Sequence, residues 1–402
     1  MPPERPRRKI LLAIGDVGGG HRSCAIALEQ AIQERFGDAY EVVIDDFFAA
    51  VDPSPLGDSN HAQRLFARHD LLKRLVNDPV WHFGNTRLGY RLTERYLLQR
   101  TLSAYSTRLE RHAPDLLVSV HPYLSMTLGA IKRRVGTFRY AVVVTDLASL
   151  LRGWADPEAE LIVSPTEEAS QALRAYGVEG SRIVGPLFPL SRALRHIAPR
   201  ALTLGGLGLD PAVRTVLLSG GGGGGRALTG PLSRLARDHD RQLIIVCGKD
   251  EALMTELQAL YRGAPGIRVL GFVANLPDYF AAADVVISKP GPSTVLELEA
   301  LGTKTILTGD LGPQEVGNVR YALARPLVRH IGNDWRRLPQ ALDDLLAAPD
   351  PGSSPRRRLD EAVTIAEHLV RSLQDGPDEA AADRPRPRPL GEHVRHVPGR
   401  RH

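Results

Sequence analysis

Short apolar runs alternate with amphipathic stretches along most of this chain, and that alternation limits the possible folds more than any other feature. Lys9–Gly15 reads as a strand, about His21 to Arg35 as a helix, and Glu41–Asp45 as a strand again. Strands buried on both faces are continuously apolar and the helix between them carries the crossover, so this is the rhythm of a parallel sheet covered by helices. It resumes after a long basic helical region with Asp115–Val120, Tyr140–Thr145, Leu161–Ser164 and Ile183–Gly185. Between Gly185 and Pro211 the period dissolves into a Pro, Gly and Arg mixture, which reads as an interdomain linker. A second set follows: Thr215–Ser219, Gln242–Cys247, Ile267–Leu270, Val285–Ser288 and Lys304–Leu307, each trailed by a helix.

The expected architecture is therefore α/β, with two doubly wound domains facing across a cleft. The boundaries read as a disordered basic start 1–8, a first domain 9–190, a linker 191–212, a second domain 213–375 and a disordered tail 376–402. The amphipathic helix within 355–374 is expected to close the second domain, and the tail holds nothing to bury.

Composition matters mainly for what it excludes. The 402 residues carry a net charge of +5, but the excess lies in the two tails, which leaves the body neutral and weakens a nucleic-acid reading. Inside that body, residues 61 to 114 hold ten Lys or Arg against four acids. Two readings stand for this segment, a solvated helix face or a surface that meets an anionic partner. Cys24 and Cys247 are too far apart in sequence and too few for a disulfide framework or a zinc spacing. The first apolar run, Ile10–Ile14, is too short for a signal sequence, and no stretch approaches the roughly 18 apolar residues of a membrane span. The expectation is a cytoplasmic protein, peripherally associated with the inner face of the plasma membrane.

Chemistry concentrates where strands run into helices. Gly15-Asp16-Val17-Gly18-Gly19-Gly20-His21 does not have the dinucleotide spacing G-x-G-x-x-G, yet Gly19 and Gly20 let backbone approach a ligand and leave free amides at a helix start. A helix N-terminus disfavours imidazolium, so His21 is expected to be neutral and able to accept a proton; the alternative is a solvated or capping histidine. The second domain repeats the device with six glycines from Gly220 and Gly221 to Gly225, read as contacts to phosphate or sugar. Ser288-Lys289-Pro290-Gly291-Pro292-Ser293-Thr294-Val295-Leu296-Glu297 and Gly312-Pro313-Gln314-Glu315-Val316-Gly317-Asn318 also lie at strand C-termini, where open parallel sheets bind ligands. Glu297 has a second reading, since Thr294-x-x-Glu297 has the form of a capping box.

In this order, GDVGGGHRSCA (15–25), VSVHP (118–122), VVTDL with a trailing Trp154, SKPGPSTVLE (288–297) and PQEVGN (313–318) resemble the inverting glycosyltransferases of the GT-B fold that include the monogalactosyldiacylglycerol synthases and processive diacylglycerol glucosyltransferases. More distantly the chain resembles the N-acetylglucosaminyltransferase of peptidoglycan lipid-intermediate synthesis. The resemblance implies transfer of a hexose from a UDP-sugar to a lipid acceptor, diacylglycerol first. Phe272 and Val273 would contact uracil, Ser293 and Thr294 the diphosphate, Glu297 the ribose, and Gln314, Glu315 and Asn318 the sugar. His21 would be the general base, with Asp146 the other catalytic candidate, and His121, Pro122 and Trp154 would line the acceptor side. Leu151 and Asp156 stand where close relatives carry histidines, and Gly312-Pro313 replaces their Pro-Gly.

Helix dipoles and amides can receive the leaving diphosphate, and no convincing Asp-x-Asp site occurs, so neither metal nor cofactor is expected. The expected partners are a UDP-sugar, a lipid acceptor and an anionic membrane surface, with no nucleic acid. The rival readings are a sugar-nucleotide epimerase of the same fold, N-acetylglucosaminyl transfer to a polyprenyl-linked acceptor, and a non-catalytic nucleotide-sugar or lipid-binding protein.

Overall fold

A computed structural model describes residues 7–16, 19–51, 78–136, 138–220, 230, 232, 235–236, 240–309, 312–349 and 358–374. Gly221–Gly225, residues 1–6 and the tail from 375 onward lie outside the described residues.

Two six-stranded sheets organise the chain, and every strand pair in them is parallel. The first runs β2-β1-β3-β4-β5-β6, from β1 (Arg8–Ile14), β2 (Tyr40–Asp46), β3 (Leu116–Ser119), β4 (Arg139–Val143), β5 (Leu161–Val163) and β6 (Ile183–Val184). The second runs β12-β11-β10-β7-β8-β9, from β7 (Thr215–Ser219), β8 (Gln242–Val246), β9 (Ile267–Leu270), β10 (Val285–Ser288), β11 (Thr305–Thr308) and β12 (Val328–Gly332). Strand order reverses between β1 and β3 and between β7 and β10, which opens a crevice at the C-terminal ends of each pair.

The continuous apolar runs make sense in this arrangement. Ile10, Leu12 and Ile14 of β1 face one core with helix Gly20–Phe36, while Leu11 and Ala13 face another with helices Arg87–His112 and Pro122–Val135. No side of the strand is left for solvent.

Four boundaries differ from the sequence expectation, each for a packing reason. Arg8 is not in a free basic start: it opens β1, and its guanidinium donates to the Leu373 carbonyl at 3.0 Å. The presumed linker contains helix Arg200–Gly206, whose Leu204 joins Leu209 in the second core. β12 was not anticipated, because Val-Arg-His-Ile-Gly at a sheet edge lacks an apolar run. Helix Glu361–Gln374 does not close the second domain: Ala362, Ile365, Ala366, Leu369, Val370 and Leu373 complete the first core against helix Gly20–Phe36.

The chain thus crosses between domains twice, and an apolar cluster seals the crossing. It joins Cys24, Leu147 and Phe188 of the first domain to Val295, Leu296, Tyr321 and Ala322 of the second.

Candidate active site

The crevice of the first sheet collects two histidines. After β1, Gly15 passes so close to the Phe48 ring that a Cβ there would meet it at 2.9 Å, and Gly19 takes φ 85°, a left-handed conformation suited to glycine, to start the helix. His21 therefore sits in the first turn. After β3, His121 forms the N-cap of helix Pro122–Val135 and its Nδ1 accepts from the Tyr123 N–H at 3.3 Å. The two imidazole centroids are 4.6 Å apart, and Phe48 packs edge-on against His121 at 4.7 Å.

Both rings are neutral at physiological pH. Burial pushes His21 down to about 4, opposed by its hydrogen bond to the Val120 carbonyl and by the nearby Asp16 carboxylate. His121 is held well below the usual range by burial and by His21 itself. Thr145 Oγ1 lies 3.2 Å from His21 Nδ1, so the ring is held from two sides. Asp16 is fixed in turn by Arg22, whose Nε donates to it at 2.8 Å.

Asp146 follows Thr145 at the end of β4. Its Oδ2 accepts from Trp154 Nε1 at 2.7 Å, and Trp154 is completely buried. The indole is therefore placed behind the carboxylate rather than on an acceptor-facing wall. Burial raises Asp146 to about 6; the Trp154 bond opposes this, and the charge of Glu315 from the second domain adds to it.

On the donor side, β7 is followed by the buried Gly220, and β10 leads through Ser288–Gly291 into helix Pro292–Leu301. That helix begins at Gly291 with no side-chain cap, so Thr294 is already inside the first turn and the capping box is not formed. Glu297 is left half-buried, and desolvation lifts its carboxyl to about 7. Ser293 Oγ lies 3.8 Å from Cys24 Sγ, and a Cβ on Gly20 would come within the same distance of it, so the two helix starts face each other. Cys24 itself is unreactive, its thiol pushed up to about 12 by burial.

Phe272 stands exposed after β9, with Val273 beside it against the second core. Gln314 is half-buried and Glu315 buried in the first turn of helix Pro313–Leu323. Asn318, expected at the sugar, is fully buried: its Oδ1 accepts from the Leu147 N–H at 3.2 Å and its Nδ2 donates to the Pro290 carbonyl at 3.0 Å.

The structure thus brings His21, His121, Pro122 and Asp146 together on one side and Ser293, Thr294, Glu297, Gln314 and Glu315 on the other. Asp16, Phe48, Val120 and Thr145 were missed. Asp16 had a local signal, an acid five residues before His21 with Arg22 following, whereas Phe48 and Thr145 arrive from other strands. Among the described residues, no group of His, Cys, Asp and Glu is arranged to hold a metal ion.

Comparison with known proteins separates along the same two units. Residues 21–185 match the model of monogalactosyldiacylglycerol synthase, and residues 215–311 match the glycosyltransferase family 28 C-terminal domain. The chain is 28% identical to the chloroplastic monogalactosyldiacylglycerol synthase of Spinacia oleracea over 82% of its own length and 65% of that protein, so it spans less than two thirds of this relative. In three dimensions it resembles MurG of Acinetobacter baumannii (TM-score 0.55, 16% identity, 92% of this chain and 100% of that one). It equally resembles UDP-GlcNAc 2-epimerase of Neisseria meningitidis (TM-score 0.56, 13% identity, 90% and 100%), so shape alone establishes the fold and no more. Two successive family models thus match the two units, and the similarity to monogalactosyldiacylglycerol synthases runs through both of them on a GT-B fold.

Proposed function

We propose that this protein transfers a hexose from a UDP-sugar to diacylglycerol with inversion at the anomeric carbon. The observation that carries the reading is a half-buried, neutral His21 on one wall of the cleft opposite the uncapped helix start and Glu297 on the other. In the proposed reaction the acceptor hydroxyl gives its proton to His21, its oxygen bonds to the anomeric carbon, and the bond to UDP breaks on the opposite face. The first-turn N–H groups of Ser293 and Thr294, which follow Pro292 at the helix start, receive the diphosphate charge, so the proposed step asks for no divalent ion. An assay of labelled hexose transfer from UDP-hexose to diacylglycerol vesicles, with and without a chelator, tests this; UDP release with no glycolipid formed would overturn it.

Glu297→Ala is expected to weaken UDP binding about ten- to a hundredfold, the worth of two hydrogen bonds from ribose hydroxyls to the carboxyl. With the cap reading removed, no offsetting loss of helix stability is expected. Calorimetric titration with UDP decides it, and unchanged affinity would detach Glu297 from the donor.

The acceptor side carries an apolar stripe suited to a membrane. Trp81 is buried under the helix pair, and the outward residues are Val80, Phe83, Leu88, Leu92 and Tyr96. Leu88, Leu92 and Tyr96 repeat every four residues on helix Arg87–His112, flanked by exposed Arg87, Arg91 and Arg95. No helix among the described residues is long and apolar enough to cross a membrane. The surface is expected to dock on an anionic bilayer, each Arg contributing roughly 1 kcal/mol. Vesicle sedimentation should show salt-sensitive binding that Leu88→Asp with Leu92→Asp removes; equal binding to neutral vesicles would count against it.

A further inference from the structure

Asn318 occupies a place that a sugar ligand does not need. It lies on the second domain, yet its carboxamide oxygen accepts from the backbone of Leu147 in the first, while its amide donates to Pro290 in the loop before the donor-side helix. Leu147 directly follows Asp146. The Leu147 carbonyl accepts from the Thr166 hydroxyl, and its side chain is buried in the cross-domain apolar cluster, so this one residue is held from three sides. One position earlier than Asn318, a Cβ on Gly317 would fall 2.5 Å from both the Ser149 nitrogen and its hydroxyl. Helix Pro313–Leu323 can approach the 147–149 loop this closely only with glycine there.

We propose that Asn318 is a positioning residue that locks the two halves of the site in register. One planar amide fixes the peptide carrying Asp146 to the loop that leads into Ser293 and Glu297. Acceptor alignment then depends on a group that touches neither substrate. The catalytic part of this proposal rests on the transferase reading above, but the clasp itself does not.

Asn318→Leu keeps the volume and removes both bonds; Asn318→Asp keeps the acceptor for Leu147 and loses the donor to Pro290. Hydrogen exchange of the Leu147 amide is the direct readout and should accelerate at least tenfold in the Leu variant, with less change in the Asp variant. UDP affinity by calorimetry should stay within about twofold, and kcat should fall about ten- to a hundredfold with KM for the UDP-sugar little changed, the scale expected when reacting groups are displaced by about 1 Å. If the Leu147 amide keeps its protection while UDP-hexose loses affinity that UDP alone retains, Asn318 is a sugar ligand and the clasp is wrong. If exchange accelerates but kcat holds, the clasp exists without a role in alignment and the proposal fails. Absence of turnover in the unaltered protein would instead condemn the transferase reading and leave the exchange result to judge the clasp.

Discussion

His21→Ala is expected to lower glycolipid formation by roughly 10² to 10⁴, the usual cost of losing a general base, while UDP affinity stays the same. The separation follows from placement, since His21 belongs to the first domain and the donor loops to the second. The geometry adds a condition on pH. Burial keeps the imidazole neutral from about pH 5 upward, so its own protonation does not shape the rate near neutrality. An acidic limb near pH 6 is assigned instead to Asp146, whose carboxyl titrates at about 6, and it should persist in residual His21→Ala activity and vanish in Asp146→Asn. The imidazolium formed during transfer is stabilised by Asp16, which Arg22 holds in place, so Asp16→Asn should lower kcat more than it changes KM. Wild-type turnover in His21→Ala would move the base to Asp146 or His121.

What the sequence made legible was whatever is encoded locally. β1, β7 and β10 announce themselves because both faces of a central parallel strand are buried, and the glycines after β1 mark the point where backbone must pass Phe48. Edge strand β12 is half-exposed, so Arg329 and His330 interrupt its apolar pattern. Helix Glu361–Gln374 shows its own stripe plainly; which of two similar cores receives it is a tertiary choice that periodicity does not encode. The same limit explains Trp154 and Asn318. Each stands beside motif residues, and only the fold shows that one backs Asp146 and the other joins the two domains.

Replacing Asp156 by Asn is expected to remove a large pH dependence of stability. Asp156 is completely buried, and only Gly129 makes room for it: a Cβ there would lie 2.1 Å from Oδ2. Oδ1 accepts from the Glu158 N–H at 2.8 Å, whereas Oδ2 has no hydrogen-bond partner among the described residues, and neither has the buried hydroxyl of Tyr90. Burial raises the carboxyl from 3.8 to about 8, against the Glu158 bond and the charge of Arg133. The folded protein therefore keeps a proton that the unfolded chain releases above about pH 4, and stability is lost as pH rises from there to about 8. At roughly 1.4 kcal/mol per pH unit the loss is on the order of 5 kcal/mol, comparable to the whole stability of many domains. Asp146 and Glu297, also raised, add slopes of the same sign, so the informative quantity is the difference between the two proteins. Thermal unfolding from pH 4 to 8.5 should show nearly equal midpoints at the acid end and a growing advantage for Asp156→Asn toward the alkaline end, where the native carboxylate is ionised without a full set of partners. Parallel curves would mean that Asp156 is already ionised in the folded protein and that some group beyond the described residues neutralises it.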